Sequence, residues 1–270
     1  MSTSSALLAS LLSLQQGAID SVERRLLGAD PSNALCRFVN YPTGARSDRY
    51  VINTNFWARG IDFSCVSPWN SAGGALRAGT LISKRHVIFA KHFQMKAGTR
   101  IVFVGEDGVV CPCYIEKIKS MDLQDVTVGL LNAEVTPNIH PAKILPSNFM
   151  RYIGNGRGLP IVTFNQKEKL FLTEANLLAT NGTAITHITC RAPRNGRMAR
   201  FREKMITGDS GNPAFLLIGN QAILLYCLRG GGTGDGPAVH IFKREIQKLM
   251  DELCPGYKLE AFDFAALERK

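Results

Sequence analysis

The chain has 270 residues, 45% of them apolar and 20% charged, and a formal net charge of +10. These are ordinary globular values that exclude a disordered or low-complexity chain, and no apolar run reaches the roughly 20 residues needed to cross a bilayer. The length admits one large all-β domain or two small ones, and the positive balance favours anionic partners without identifying any.

The first segment, "MSTSSALLASLLSLQQGAID", reads as a helix rather than a secretory signal, because no Lys or Arg precedes its apolar stretch and the cleavage region is weak. Leu8, Leu11, Leu12, Ile19, Val22 and Leu26 fall near helical spacing, Ser5 is placed to cap the start, and Gly28 follows as a stop. Residues 29–58 form an irregular connection rich in Pro, Asn, Asp and Gly. Short β-branched and aromatic runs come next: "IDFSCVSPW", "GTLIS", "HVIFAKHF", "TRIVFVG", "VVCPCYIEKI" and "VTVGLLN". "PNIHPAKILPSNF" leads to a second set: "LPIVTFN", "KLFLTEANLLA", "AITHITCRA", "NPAFLLIG", "QAILLYCLR" and "PAVHIF". "GGGTGDG" reads as a flexible turn. The period then changes, and "FKREIQKLMDEL" sets Ile246, Leu249, Met250 and Leu253 on one helical face. The expected divisions are an N-terminal helix and connection (1–57), a first β unit (58–145), a second (146–240) and a C-terminal helix with its tail (241–270).

The seven cysteines, 36, 65, 111, 113, 190, 227 and 254, are odd in number and scattered, with no Cys-x-x-Cys spacing for zinc or redox chemistry. This pattern fits a reducing compartment better than a disulfide framework, so an intracellular protein is expected over a secreted one. Residues 191–204, "RAPRNGRMARFREK", hold five Arg and one Lys against one Glu. They read as a solvated loop, or as a contact for an acidic substrate, an acidic protein or nucleic acid. No aromatic platform or binding motif supports nucleic acid.

One turn stands out, "MITGDSGNPAF", Met205–Phe215. Gly, Asp and Ser are common in tight turns, so a nucleophilic Ser210 requires a base and an orienting acid elsewhere. "GTLISKRHVIFAKHF" supplies His92 and "DVTVGLL" supplies Asp125, in the order His, Asp, Ser with gaps of 33 and 85 residues. With these three motifs, residues 58–253 resemble the chymotrypsin-like (trypsin-like) serine peptidases. The resemblance implies an all-β fold of two six-stranded antiparallel barrels around a cleft, with helices added at both ends.

It also implies a serine endopeptidase acting on polypeptide through an acyl-enzyme, without metal or organic cofactor. Ser210 would be the nucleophile, His92 the base, Asp125 the orienting acid, and the N–H groups of Gly208 and Ser210 the oxyanion hole. His86 and Asp122 are the rival base and acid. His140, His187 and His240 read as ordinary hydrogen-bonded histidines.

The departures from the family are as informative. Asn212 replaces a glycine, Phe93 stands where the secreted enzymes have a cysteine, and Ile206 lies near the place of another. No clear activation sequence is present, although Asp48–Asn55 lies at a tolerable distance, so a constitutively folded site is expected in which Asp209 finds a backbone N–H or a cation. The family's specificity-pocket floor falls on Lys204, which implies a preference for Asp or Glu. The competing expectation is a small or medium apolar residue, admitted by walls of Tyr226, Cys227 and Leu228. Two rival functions stand beside this one, a catalytically silent peptide-binding relative and a basic nucleic-acid-binding β protein.

Overall fold

The computed structural model describes residues 3–39, 50–68 and 77–268, with side chains in the first helix from residue 14 onward. That helix, α1, spans Thr3–Arg25. Gly28 stops it by taking φ +76°, a left-handed conformation that costs glycine nothing. Val22 and Leu26 are each 1% exposed and Ile19 is partly covered, so the apolar stripe faces inward as expected. Ser5 and the side chains of Leu8, Leu11 and Leu12 lie outside the described residues. Polar contacts fix the helix as well. Gln15 Nε2 donates to the Ile153 carbonyl at 2.7 Å, Arg25 donates to Arg59 O and Asn220 Oδ1, and Glu23 pairs with Arg197 at 3.2 Å. A single turn, α2 (Pro31–Ala34), follows, with Asp30 accepting from Ser32 N at its start.

The chain is predominantly β, in two curled sheets. The first contains β1 (Thr80–Leu81), β2 (His86–Phe89), β3 (Arg100–Val104), β4 (Val110–Ser120) and β5 (Thr127–Leu131), in the spatial order β1-β2-β5-β4-β3, all antiparallel. Burial follows position in the sheet. The apolar runs of β2 and β5 are buried throughout, whereas β4 alternates buried and exposed residues from Cys111 to Ile115, as a strand with one wet face must. Of the 61–69 stretch, read above as a strand, Trp69 lies outside the described residues, and residues 61–68 contribute only a bridge between Val66 and Thr80. Asp62 accepts from Ser64 N at 2.8 Å, a side-chain turn that competes with the ladder.

The second sheet comprises β6 (Lys143–Ile144), β7 (Pro160–Phe164), β8 (Leu170–Ala175), β11 (His187–Arg191), β12 (Pro213–Ile218), β13 (Gln221–Cys227) and β14 (Asp235–Pro237). Between β8 and β11 a separate small hairpin forms from β9 (Ala179–Thr180) and β10 (Thr183–Ala184); a short turn, α3 (Met150–Ile153), precedes β7. The order is β14-β11-β8-β7-β12-β13-β6. Five and seven strands therefore stand where six and six were expected, among the described residues. The difference arises because β6 adds to β13 in parallel. Val239 N donates to Leu225 O at 2.9 Å, which curls the β14 end back towards β13.

The C-terminal helix, α4 (Lys243–Leu253), buries Ile246 and Met250 and partly covers Leu249 and Leu253, lying on β4 and β5. A final turn, α5 (Ala265–Glu268), closes the described chain. One continuous apolar core runs through both sheets and both long helices. No described helix is long and apolar enough to cross a membrane.

Candidate active site

Strand pairing brings His92 and Asp125 together. β2 runs antiparallel to β5 with Phe89 opposite Thr127, so the chain leaving β2 and the chain entering β5 emerge at the same end of the sheet. His92 sits just past β2 in a 3₁₀ turn, Lys91–Phe93, and Asp125 lies two residues before β5. The His92 Nδ1 to Asp125 Oδ2 distance is 2.6 Å, and the His92 backbone N–H donates to Asp125 Oδ1 at 2.9 Å. Both carboxylate oxygens are thus engaged by one residue, which fixes the ring as well as the acid. Two further links hold the turn. Lys91 Nζ donates to Met121 O at 2.8 Å and to Asp122 O at 3.3 Å, while Gln94 Oε1 accepts from the hydroxyls of Thr127 and Ser120. The Phe93 ring carries the Arg77 guanidinium 4.8 Å above it.

Ser210 comes from the other sheet. Its turn precedes β12 and is pinned to the end of β13, with Gly211 N donating to Leu228 O and Leu228 N to Asn212 O, each at 2.8 Å. Gly211 has φ +85°, and a Cβ there would lie 3.4 Å from Ala78 O and 3.7 Å from Ala90 N. The turn thus rests on the backbone of the first sheet, which brings Ser210 Oγ to 2.9 Å from His92 Nε2. A carboxylate only accepts, so Nδ1 carries the ring proton and Nε2 accepts from the Ser210 hydroxyl. The His92 side chain is 46% exposed and that of Asp125 15%, a partly open imidazole over a sheltered carboxylate.

Asp209, 2% exposed, shapes the turn from inside. Its Oδ1 accepts from Gln166 N at 3.0 Å and its Oδ2 from Ile206 N at 2.8 Å; its carbonyl accepts from Asn212 N and Nδ2. The expected backbone partner for Asp209 is therefore present twice over, and Asn212 is explained as a side chain that ties its own turn. Gly208 has φ +100°, and a Cβ there would meet Gln166 Oε1 at 2.8 Å. The N–H groups of Gly208 and Ser210 find no acceptor among the described residues, leaving two uncommitted donors in the turn that carries the hydroxyl.

The remaining expectations divide. His86 is fully buried on Ser83 Oγ at 2.8 Å, away from the serine, and Asp122 reaches the site only through its carbonyl to Lys91. His140 pairs with Asp62 at 2.7 Å and His187 approaches Asp235 at 3.6 Å, whereas His240 has no hydrogen-bond partner among the described residues and packs on Phe149 instead. Lys204 is exposed rather than enclosed on a pocket floor. Exposure alternates along residues 202–206, as it does where adjacent side chains take opposite faces, and Met205 is the one turned inward, at 2% exposure.

Tyr226 is fully buried with its hydroxyl 3.0 Å from Cys190 Sγ, Cys227 lies 3.9 Å from Ile88 O, and Leu228 is 1% exposed. These three form packed core beneath the turn rather than open walls. Burial pushes the Cys227 thiol up to about 12, with Asp125 adding to the shift, so it stays protonated. The "GGGTGDG" stretch is held rather than loose: Met205 N donates to Gly232 O at 3.1 Å and Arg229 N to Asp235 O at 2.9 Å. Lys91, Gln94 and Gln166 had no local signal, since each acts on residues brought near only by sheet pairing. All seven cysteines are free, and among the described residues no three metal-ligating side chains cluster. No family model and no curated protein matches the chain.

Proposed function

We propose that this chain is a serine endopeptidase built on the two-barrel plan of the chymotrypsin-like enzymes. The observation that carries the reading is the hydrogen-bonded row Ser210 Oγ, His92 Nε2, His92 Nδ1, Asp125 Oδ2, at 2.9 Å and 2.6 Å, assembled from two sheets across 118 residues of chain. A free hydroxyl is a weak nucleophile at neutral pH. With Nδ1–H committed to Asp125, Nε2 is the acceptor that removes the Ser210 proton as Oγ bonds to the substrate carbonyl carbon. The carbonyl oxygen takes the negative charge and is met by the N–H groups of Gly208 and Ser210, each such donor being worth roughly 10²- to 10³-fold. The imidazolium then returns its proton to the leaving amine, the amide C–N bond breaks, and water repeats the sequence on the acyl-enzyme.

Labelling by a fluorophosphonate tests the reading directly. Wild-type protein is expected to incorporate one equivalent with loss of peptide hydrolysis, and Ser210→Ala to incorporate none while keeping its circular dichroism spectrum. Undiminished turnover by purified Ser210→Ala would rule the assignment out, and absence of labelling in folded wild-type protein would favour a silent peptide-binding relative.

A further inference from the structure

The segment entering the nucleophile's turn has a second face that the triad does not use. Arg202 has extended dihedrals, φ −82° and ψ 145°, and from there side chains alternate. Arg202, Lys204 and Ile206 are exposed, Ile206 to 50%, while Glu203 turns aside to pair with Lys169 at 2.8 Å and Met205 is buried. At the rise of a strand, same-face neighbours lie roughly 6.5–7 Å apart. Two cations and an apolar side chain therefore form a short row that ends four residues before Ser210.

The row is held in place. Phe201 is fully buried against Trp57, with ring centroids 6.2 Å apart, Met198 and Met205 are buried too, and Met205 N is bonded to Gly232 O. Nearby acids are already committed, Glu174 to Arg191, Glu23 to Arg197 and Glu203 to Lys169. Arg202 and Lys204 have no carboxylate within ion-pair distance among the described residues, and neither does Lys167, which follows the residue that bonds Asp209 and Thr207. Unpaired like charges fixed side by side repel one another and are relieved by an anion spanning both.

We propose that the Arg202, Lys204 and Ile206 face docks an acidic stretch of the polypeptide substrate, carrying Asp or Glu at alternate positions and an apolar residue at the end nearer the serine. An extended acidic peptide fits both the spacing and the charge, and a pre-formed face spares the ordering cost of binding. This selectivity rests on the peptidase reading above.

Two measurements separate the proposals. Matched peptide substrates with Glu-x-Glu or Gln-x-Gln placed on each flank of the scissile bond in turn give a ratio of kcat/KM values. Wild-type protein is expected to favour the acidic member on one flank by roughly 2- to 30-fold, the range for two exposed ion pairs, and R202E/K204E to bring that ratio to one or below. Equal rates for the two members, or a preference that survives R202E/K204E, would overturn the docking proposal and leave the peptidase reading standing. Fluorescence anisotropy of the acidic peptide with Ser210→Ala tests the face without turnover. Binding that weakens with added salt and disappears in S210A/R202E/K204E supports it, even where neither substrate is cut, and a single-stranded oligonucleotide of equal charge that binds the face more tightly than the peptide would overturn the choice of occupant.

Discussion

Asp209 spends its whole carboxylate on two backbone N–H groups, Gln166 and Ile206, and so holds the Ser210 turn. Asp209→Ala leaves two part-buried N–H groups without their acceptor, at up to about 1–3 kcal/mol each. Urea unfolding is expected to show a loss of roughly 1–4 kcal/mol, accompanied on the proposed reading by loss of hydrolysis because Gly208 and Ser210 lose their direction; an unchanged midpoint would mean the turn stands without Asp209. Asp125→Asn keeps the shape of the acid but presents an amide to Nδ1, favouring the wrong tautomer, and is expected to reduce kcat by roughly 10⁴-fold with little change in melting temperature.

At this scale the sequence was informative wherever chemistry demands a residue type. His92, Asp125 and Ser210 were legible from their motifs, and the physical need of Asp209 for a partner was legible too. Lys204 was not. Its placement depends on the strand alternation that turns Met205 inward, and a one-residue difference in register reverses which side chain is enclosed.

Helix α4 lies over the first sheet near two neutral histidines. His86 is buried beside the helix with Tyr257 edge-on at 5.3 Å, and His240 precedes the helix against Phe149 at 5.2 Å. Burial lowers each from an ordinary 6.5 to about 4. The unfolded chain therefore binds protons at these positions between pH 6.5 and 4 while the folded chain does not, so stability is fully present above pH 6.5 and declines as pH falls towards 4. The urea midpoint is expected to drop from pH 7.5 to pH 5, and His240→Phe to flatten part of that slope; a midpoint independent of pH across this range would show that neither imidazole is neutral in the fold. The helix itself was readable from its period, because Ile246, Leu249, Met250 and Leu253 must share a face. Residues 61–68 were not readable, because their strand-like composition is overridden by the Asp62 side-chain turn.

Across the whole molecule, stability comes from one core shared by both sheets rather than from covalent links. All seven thiols are free, and burial raises Cys190 to about 11 and Cys227 to about 12, leaving them protonated and inert. Excess dithiothreitol is expected to leave the melting temperature unchanged by differential scanning fluorimetry, and a drop of several degrees would reveal bridges that this fold does not contain. The predominance of β structure was legible from alternating and continuous apolar runs. Strand counts of five and seven were not, since the parallel addition of β6 to β13 joins residues some 80 positions apart and leaves no local mark.

The footing of Gly211 on Ala78 and Ala90, and its bond to Leu228, also carry a consequence for the order of synthesis. The serine's turn cannot take its shape until β13 has been made and has paired with β12, by which time His92 and Asp125 have long been available. A nascent chain therefore holds its hydroxyl and its imidazole apart for most of translation, and on the proposed reading it passes through the ribosome without the means to cut itself or its neighbours.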